Sequence, residues 1–506
     1  MMPGPPILIV TLPARDIGTA RSQATLARDA GAHVAEVRLD RLPREELTRL
    51  ADLFPAPLPL LATLRSRAEG GEGPDLPAER DPILEAACRL PFAFVDREIQ
   101  RDRARARSEV GDSGERPYPS EIHSIHLHHL PERAELGRWL RTPPGSAVFV
   151  KVVAPADLSE VWNTVLPELP PAGERSIVLH TTGPSGALLR ALAADLGMAA
   201  VFCALPEPAP PVAGRSGPVD PSQIPVDRMH RHVDASGEGG PRFAVLGHPI
   251  GHSRSPWLHS RWIEQLDQAG LYIALDVRTE SEFVETVPAL AGVGFRGVNV
   301  TQPWKEAALA LADSATPSAE RCGCANTLSL DGSDVLAENT DLMAVLRRLD
   351  ELRAAGTWDG GAITVVGSGG AARAALAAAN ELGCPAYVCA RNLEKAEILA
   401  TTFHARRDRP AGFPPPGLLL NATPCGRAGA GPLDVDLSTW LGAGGHVVDF
   451  VQRPEDPFLA RAATQAGATY EDGTRLLAYQ AAASFEIWWG MPVPGRLLER
   501  SIGDLG

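Results

Sequence analysis

The chain has 506 residues, 44% hydrophobic and 22% charged, with a formal net charge of −14. That length exceeds one ordinary core and predicts two or three globular domains, while the acidic balance argues against nucleic acid or an anionic membrane surface as a partner. Met1-Met2-Pro3-Gly4-Pro5-Pro6 lacks the build of a signal peptide, no apolar run reaches membrane-spanning length, and seven scattered cysteines make no disulfide framework, so a cytoplasmic setting is expected.

Residues 5–233 read as eight repeats of an apolar strand followed by a helical segment. Candidate strands fall at 7–11, 33–39, 58–64, 92–99, 121–127, 147–153, 176–181 and 199–205, with amphipathic stretches such as 22–30 and 188–196 between most of them. This α/β pattern predicts a closed parallel (β/α)8 barrel of the TIM type. The unit at 101–118 is charged, contains glycine and lacks a clear helical pattern.

Glu36, Arg38, Arg65, Glu98, His126 and Lys151 fall at or near the C-terminal ends of these strands, where such barrels build active sites. Lys151 is the one cation in Ala-Val-Phe-Val-Lys-Val-Val-Ala and shares a face with Phe149 and Val153. An ammonium there loses hydration, which lowers its pKa and supplies a neutral amine able to attack a carbonyl; the alternative is a salt-bridged structural lysine. His123, His126, His128 and His129 have no nearby carboxylate or cysteine to complete a ligand set, so no metal is expected. On a strand His126 and His128 share a face, and His126 reads as a proton carrier oriented by Glu98 of the neighbouring strand.

Glu36-Val37-Arg38, Thr63-Leu64-Arg65 followed by Glu69-Gly70-Gly71, Ser124-Ile125-His126 and Val150-Lys151-Val152 resemble type I 3-dehydroquinate dehydratases, over residues 5–230. The resemblance implies a Schiff base between Lys151 and the C3 ketone of the substrate. His126 then removes a C2 proton and assists loss of water, with Glu98 orienting it. It also implies that Arg190 binds the substrate carboxylate, and that Gln223, Glu36, Arg38 and Arg65 shape the site. This chain departs from the family in three places. Leu189 precedes Arg190 where Ser is usual, Phe202-Cys203-Ala204-Leu205-Pro206 replaces a Ser- and Thr-bearing segment, and Leu127-His128-His129 follows His126 in place of Asp-Phe.

Residues 206–221 are dense in Pro, Gly and Ala, and 234–241 read as a flexible linker that divides the chain. Beyond it, Cys322-x-Cys324 lacks a second pair and reads as packing. Ala362, Ile363, Val365 and Val366 lead into Gly367-Ser368-Gly369-Gly370-Ala371-Ala372 and an Ala-rich helical run. Strand, glycine turn and helix N-terminus in that order cradle a dinucleotide pyrophosphate; the alternative is a glycine turn of an unrelated α/β unit. The next apolar strand ends in Arg391, roughly 20 residues on, where NAD sites carry a carboxylate. Arg391 and Lys395 instead suit a 2′-phosphate, so the expected cofactor is NADP. The proline-rich stretch 410–417 reads as a surface loop.

Gly247-His248-Pro249-Ile250 with His252-Ser253-Arg254-Ser255-Pro256, the run Gly297-Val298-Asn299-Val300-Thr301-Gln302-Pro303-Trp304-Lys305, and Ala325-Asn326-Thr327 carry a second resemblance. Glu338-Asn339-Thr340-Asp341, Asn421-Ala422-Thr423-Pro424 and Tyr479-Gln480-Ala481 extend it, and over 242–500 the chain resembles shikimate dehydrogenases. The resemblance implies a substrate domain at 242–341 completed by helices at 475–500, and a Rossmann NADP-binding domain at 342–474. It pairs Lys305 with Asp341 as the proton donor to the alkoxide that hydride delivery leaves. Ser253 and Ser255 suit a carboxylate, and Thr301, Asn326 and Gln480 suit ring hydroxyls. Gly367, Gly369, Gly370, Ala371, Arg391, Lys395, Asn421, Thr423 and Gly473 surround the cofactor. Taken alone, Ser253, Ser255 and Asp341 also read as helix caps. Ser260, Ala390, Asn392 and Gln452 stand where the family usually has Asn, Asn, Thr and Tyr.

The whole chain therefore reads as a fused enzyme acting on small molecules: dehydration of 3-dehydroquinate, then NADPH reduction of 3-dehydroshikimate. Alternatives are a working dehydrogenase behind a non-catalytic barrel, and a ligand-sensing regulator. Lys151, His126, Lys305, Asp341 and the lack of a basic DNA-binding segment speak against the regulator.

Overall fold

The computed structural model describes residues 5–102, 119–141, 147–169, 177–207, 220, 222–234, 240–407, 417–427 and 443–505. Most of the charged unit at 101–118, of the Pro-rich stretch 206–221, of the linker at 234–241 and of the loop at 410–417 lies outside the described residues. The chain divides into two compact units, residues 1–242 with 267–276, and residues 243–266 with 277–506.

The first unit holds eight strands: β1 (Ile7–Leu12), β2 (Val34–Arg38), β3 (Leu60–Thr63), β4 (Phe94–Glu98), β5 (Ser120–His126), β6 (Val150–Pro155), β7 (Ile177–Thr182) and β8 (Ala200–Cys203). They form one sheet in the order β7-β6-β5-β4-β3-β2-β1-β8, every ladder parallel. At the seam between β7 and β8, Ala199 N–H donates to Ile177 O at 3.0 Å and Phe202 N–H to His180 Nε2 at 3.1 Å. An imidazole thus supplies an acceptor where the strand ladder is thin. Helix α1 (Ile17–Asp29) shows why the repeats fold as they do: Asp16 caps it by accepting from Thr19 N, and Ile17, Ala20, Ala24 and Ala27 bury one stripe. A second helix used below, α2 (Gly186–Ala191), follows β7.

The second unit contains two sheets. In the first, β9 (Arg242–Gly247), β10 (Phe295–Val300), β12 (Thr327–Asp331), β13 (Asp334–Glu338) and β11 (Ser314–Ala315) lie in that spatial order, with antiparallel β10–β12 and β12–β13 ladders. The second sheet is parallel throughout. Its strands β14 (Ile363–Val366), β15 (Ala386–Cys389), β16 (Leu418–Asn421), β17 (His446–Asp449) and β18 (Thr469–Glu471) take the order β15-β14-β16-β17-β18. This is the doubly wound dinucleotide-binding pattern, with helices on the crossovers from β14 to β15, β15 to β16 and β17 to β18. Helices α3 (Ser255–Gln265), α4 (Lys305–Leu311), α5 (Thr340–Ala354), α6 (Gly370–Glu381), α7 (Leu393–Thr402) and α8 (Thr474–Trp489) position the site residues, and α5 packs along α8. All seven cysteines are unbridged. Among the described residues no helix is long and apolar enough to cross a membrane, and no group of three or more His, Cys, Asp or Glu could hold a metal ion.

Candidate active sites

The barrel interior is built in two layers by strand alternation. Ile9, Val34, Leu61, Ile122, Phe149, Val178 and Ala200 form an apolar cluster with Phe94 packed against it. Two residues further along each strand the same face carries Thr11, Glu36, Thr63, Asp96, Ser124, Lys151, His180 and Phe202. The layer toward the C-terminal strand ends is therefore polar on seven strands of eight, and those groups are buried.

Carboxylates and cations interlock in this layer. Arg65 donates to Asp96 at 2.8 Å, Glu98 at 3.0 Å, and Glu69 and Ser124 at 3.1 Å. Burial works against its charge, but Asp96, Glu98 and Glu69 hold its pKa above the ordinary value. Ser124 Oγ also donates to Asp96, Glu36 accepts from Thr11 at 2.6 Å and Thr63 at 2.8 Å, and Arg38 forks onto Asp40 at 2.7 and 2.8 Å. Among the described residues Lys151 takes no such partner: its Nζ lies 3.6 Å above the Phe202 ring. Burial lowers its pKa to about 8 against the pull of Glu36 and Asp96. His126 falls well below its ordinary value through burial and the charges of Arg65, Lys151 and Arg38, so it is a neutral imidazole at pH 7.

The partner expected for His126 is corrected by this geometry. Glu98 spends one oxygen on Arg65 and Ser66 N, and the other lies 3.4 Å from Arg80. Glu69 is the carboxylate beside the histidine: Oε2 accepts from His126 N–H at 2.9 Å and lies 3.4 Å from Nδ1. Burial raises Glu69 to about 7, with Arg65 opposing. Strand β5 ends at His126, so His128 does not continue its face; its ring meets Ala68 O at 2.6 Å. Gln223 reaches the polar layer through Thr11 Oγ1 at 3.0 Å. Arg190 differs from the expectation of an open carboxylate ligand, because its donors are already spent within the protein.

In the second unit, α4 begins at Lys305 and α5 opens with Asn339 as its cap and Asp341 in its first turn. Lys305 Nζ donates to Asp341 Oδ2 at 2.5 Å. Burial opposes the Lys305 charge, yet Asp341 wins and its pKa is raised. Asn326 donates to Asp341 Oδ1 at 2.9 Å and to Gln480 Oε1 at 3.3 Å, while its own Oδ1 accepts from Thr340 N at 2.7 Å. Lys305, Asp341, Asn326 and Gln480 thus form one connected network. Ser255 is buried at the start of α3, Ser253 Oγ lies 3.4 Å from its N–H, and Thr301 packs where a Cβ on Gly247 would sit.

The glycine loop fits a dinucleotide. Gly367 has φ +129, and a Cβ there would meet the Ala422 carbonyl at 2.9 Å; Gly369, capping α6, faces open space. A Cβ on Gly370 would strike the Lys305 stem at 2.6 Å, so that residue seats the lysine, and Ala371 follows it half-buried in the first turn of α6. Arg391 and Lys395 are exposed at the end of β15 and the start of α7, and among the described residues neither forms an ion pair. Gly473 lies against the Phe450 carbonyl, 2.4 Å from where a Cβ would be. Asn421 corrects the expectation of a cofactor contact. It is fully buried, donates to Asp449 at 2.9 Å and accepts from Thr423 N and Oγ1, so it shapes the loop and leaves Thr423 at its half-buried surface.

Sequence reasoning missed Glu69, Asp96, Ser124 and Phe202. The quoted Glu69-Gly70-Gly71 held a signal: Gly70, at φ +81, ends the short turn that brings Glu69 over the strand ends.

Residues 8–239 match the family model for type I 3-dehydroquinase, and residues 245–328 that for the shikimate dehydrogenase substrate binding domain. A shikimate dehydrogenase (NADP(+)) of Methylobacterium radiotolerans is 40% identical over 279 residues, 52% of this chain and 98% of the relative. A Thermus thermophilus shikimate 5-dehydrogenase, solved in complex with shikimate, is 34% identical with a TM-score of 0.46, covering 52% of this chain and 98% of that one. A dehydroquinate dehydratase and shikimate dehydrogenase from S. pombe spans 99% of this chain and 98% of its own at 22% identity and a TM-score of 0.42. The chain belongs to the shikimate dehydrogenase family and carries a type I 3-dehydroquinase domain ahead of it.

Proposed function

We propose that this chain catalyses two consecutive steps of the shikimate pathway, dehydration of 3-dehydroquinate in the barrel and NADPH-dependent reduction of 3-dehydroshikimate in the second half. We assign 5–233 to the dehydratase, 242–341 with 475–500 to the dehydrogenase substrate lobe, and 342–474 to its cofactor lobe. The observation that carries the reading is a pair of lysines in opposite states: buried Lys151 lowered to about 8 with an aromatic face for company, and half-buried Lys305 raised by its bond to Asp341.

In the barrel, the neutral Lys151 amine attacks the substrate ketone and one amine proton passes to the oxygen. With a second proton taken from solvent, returned when the iminium is hydrolysed, that oxygen leaves as water to give an iminium. Neutral His126, positioned by Glu69, accepts the adjacent carbon-bound proton and hands it to the leaving hydroxyl. Hydrolysis of the iminium returns the amine. Arg65 holds Asp96, Glu98 and Glu69 in a fixed array around this chemistry.

In the second half, Gly367, Gly369 and the N-terminus of α6 would hold the pyrophosphate, and Arg391 with Lys395 the 2′-phosphate. When bound, the cofactor supplies a hydride to the ketone carbon. Lys305, as the ammonium, donates a proton to the alkoxide oxygen, and Asp341 and Asn326 fix its direction. Ser253 and Ser255 take the substrate carboxylate, and Thr301 and Gln480 its hydroxyls. Free cysteines and an acidic chain fit a cytoplasmic enzyme of small-molecule substrates.

The test supplies the purified chain with 3-dehydroquinate and NADPH and follows both the enone product and NADPH oxidation. Borohydride added with 3-dehydroquinate alone is expected to fix one substrate mass on Lys151. Absence of that adduct removes the dehydratase reading, and absence of NADPH oxidation with 3-dehydroshikimate removes the dehydrogenase reading.

A further inference from the structure

Arg190, on α2, is buried to 3% side-chain exposure, and its guanidinium is fixed edge by edge. Nε donates to Phe202 O at 3.2 Å; Nη1 donates to Gly186 O at 2.7 Å, Thr181 O at 3.1 Å and Ser222 Oγ at 2.9 Å. Three of these acceptors are backbone carbonyls at the ends of β7 and β8 and the start of α2, so the group cannot turn without abandoning them. Nη2 is the edge left for an anion, and Asp220 Oδ2 occupies it at 2.8 Å. The other oxygen of Asp220 accepts from Ser222 N at 2.9 Å and Ser222 Oγ at 2.6 Å, and these two bonds aim the carboxylate.

The same short segment is tied to the site. Gln223 follows Ser222 and donates to Thr11, which donates to Glu36 beside Lys151. Asp220 keeps 23% side-chain exposure, so water can receive it if another anion takes its place. A cation satisfied by a carboxylate of its own chain offers an incoming carboxylate only the difference between two similar ion pairs.

We propose that Asp220 is an internal competitor for the substrate carboxylate: it holds the Nη2 edge of Arg190, a carboxylated substrate must displace it, and it thereby sets how strongly the barrel binds and selects such substrates. The inference rests on the dehydratase reading above. Asp220 touches no reacting atom; it acts through Arg190.

The experiment uses the full chain, unaltered and as Asp220→Asn and Asp220→Ala, with kcat and KM measured for 3-dehydroquinate and for its methyl ester. Removing the charge is expected to lower KM for the acid about tenfold and to leave KM for the ester in place, so discrimination between them widens by the same factor. A KM for the acid that stays or rises overturns the proposal, as does a parallel shift for acid and ester, which marks a structural role. The NADPH-dependent rate of each variant reports that the chain is folded, and the Asn variant keeps an acceptor oxygen for Ser222. Borohydride trapping on the unaltered chain separates the two levels. An adduct with an unmoved acid-to-ester ratio sinks the competitor alone, whereas no adduct sinks the dehydratase reading and the competitor with it.

Discussion

Each half holds one lysine away from bulk water, and the two are treated in opposite ways. Lys151 is enclosed by a parallel barrel, faces the Phe202 ring at 3.6 Å and is lowered to about 8. Lys305 is half-buried, bonded to Asp341 at 2.5 Å and raised. Loss of hydration opposes the charge in both, and at Lys305 the bonded carboxylate outweighs it. One arrangement yields a nucleophile and the other an acid, and the strongest tests exchange or remove those partners.

The largest effect is expected from Lys151→Met. Dehydratase turnover should fall by roughly 10⁴-fold or more, since no other amine lines the polar layer, while NADPH oxidation with 3-dehydroshikimate stays within twofold. Loss of both activities would show that the halves do not act independently. In the unaltered chain, borohydride trapping should rise with pH through about 8 and then level, because the neutral amine is the attacking form.

Asp341→Asn brings Lys305 closer to the condition of Lys151. The ammonium loses its counter-charge, its pKa drops, and kcat for reduction should fall about 10²-fold at neutral pH. The sign of the pH dependence follows. The ammonium is the donor, so the variant should lose activity as pH rises through the lowered pKa, in a range where the unaltered enzyme is flat. A fall in kcat with no new ionisation would mean that Asp341 only positions.

Glu69→Gln is expected to cost the dehydratase about 10-fold to 10²-fold in kcat. Glu69 titrates near 7; below that pH it is neutral and holds the imidazole less firmly, so activity climbs as pH rises through 7. The Gln variant should lack that limb and keep the one near 8. Glu98→Gln, which leaves Arg65 and Arg80 short of a buried charge, should instead show first as a lower melting temperature.

What the sequence revealed and what it hid also divides between the halves. Most barrel strands were legible as short apolar runs, β4 and β5 being the polar exceptions, and β1 through β8 fall close to the expected segments. Alternation placed Lys151 on the inward face, while Asp96 and Ser124, on the same face of β4 and β5, were passed over. Glu69 did not follow from alternation, since it comes from a turn beyond β3, where periodicity carries no information; Glu98 points inward as alternation requires, but Arg65 and Arg80 claim it. In the second half the Lys305–Asp341 pair is 36 residues apart in the chain, a separation that says nothing of contact, so only the family resemblance joined them. Asn421 was read from its motif as a cofactor contact, while its burial against Asp449 makes it a support for the loop. A motif marks where a site is; which of its residues touches the ligand depends on which side chains the fold has already consumed.

Arg391 offers the mildest test of the same principle. Unlike Arg65 or Arg190, it is exposed, and among the described residues it makes no ion pair; its donors remain available. An unspent surface cation at the end of β15 contributes through charge alone, in high dielectric, so its removal should act modestly and selectively. Arg391→Ser is expected to raise KM for NADPH about tenfold at low salt and less at high salt, leaving kcat, the KM for NADH and the dehydratase unchanged. An equal rise for NADH would assign Arg391 to the adenosine it shares with NADPH, and Lys395 would then be left as the cation for the 2′-phosphate.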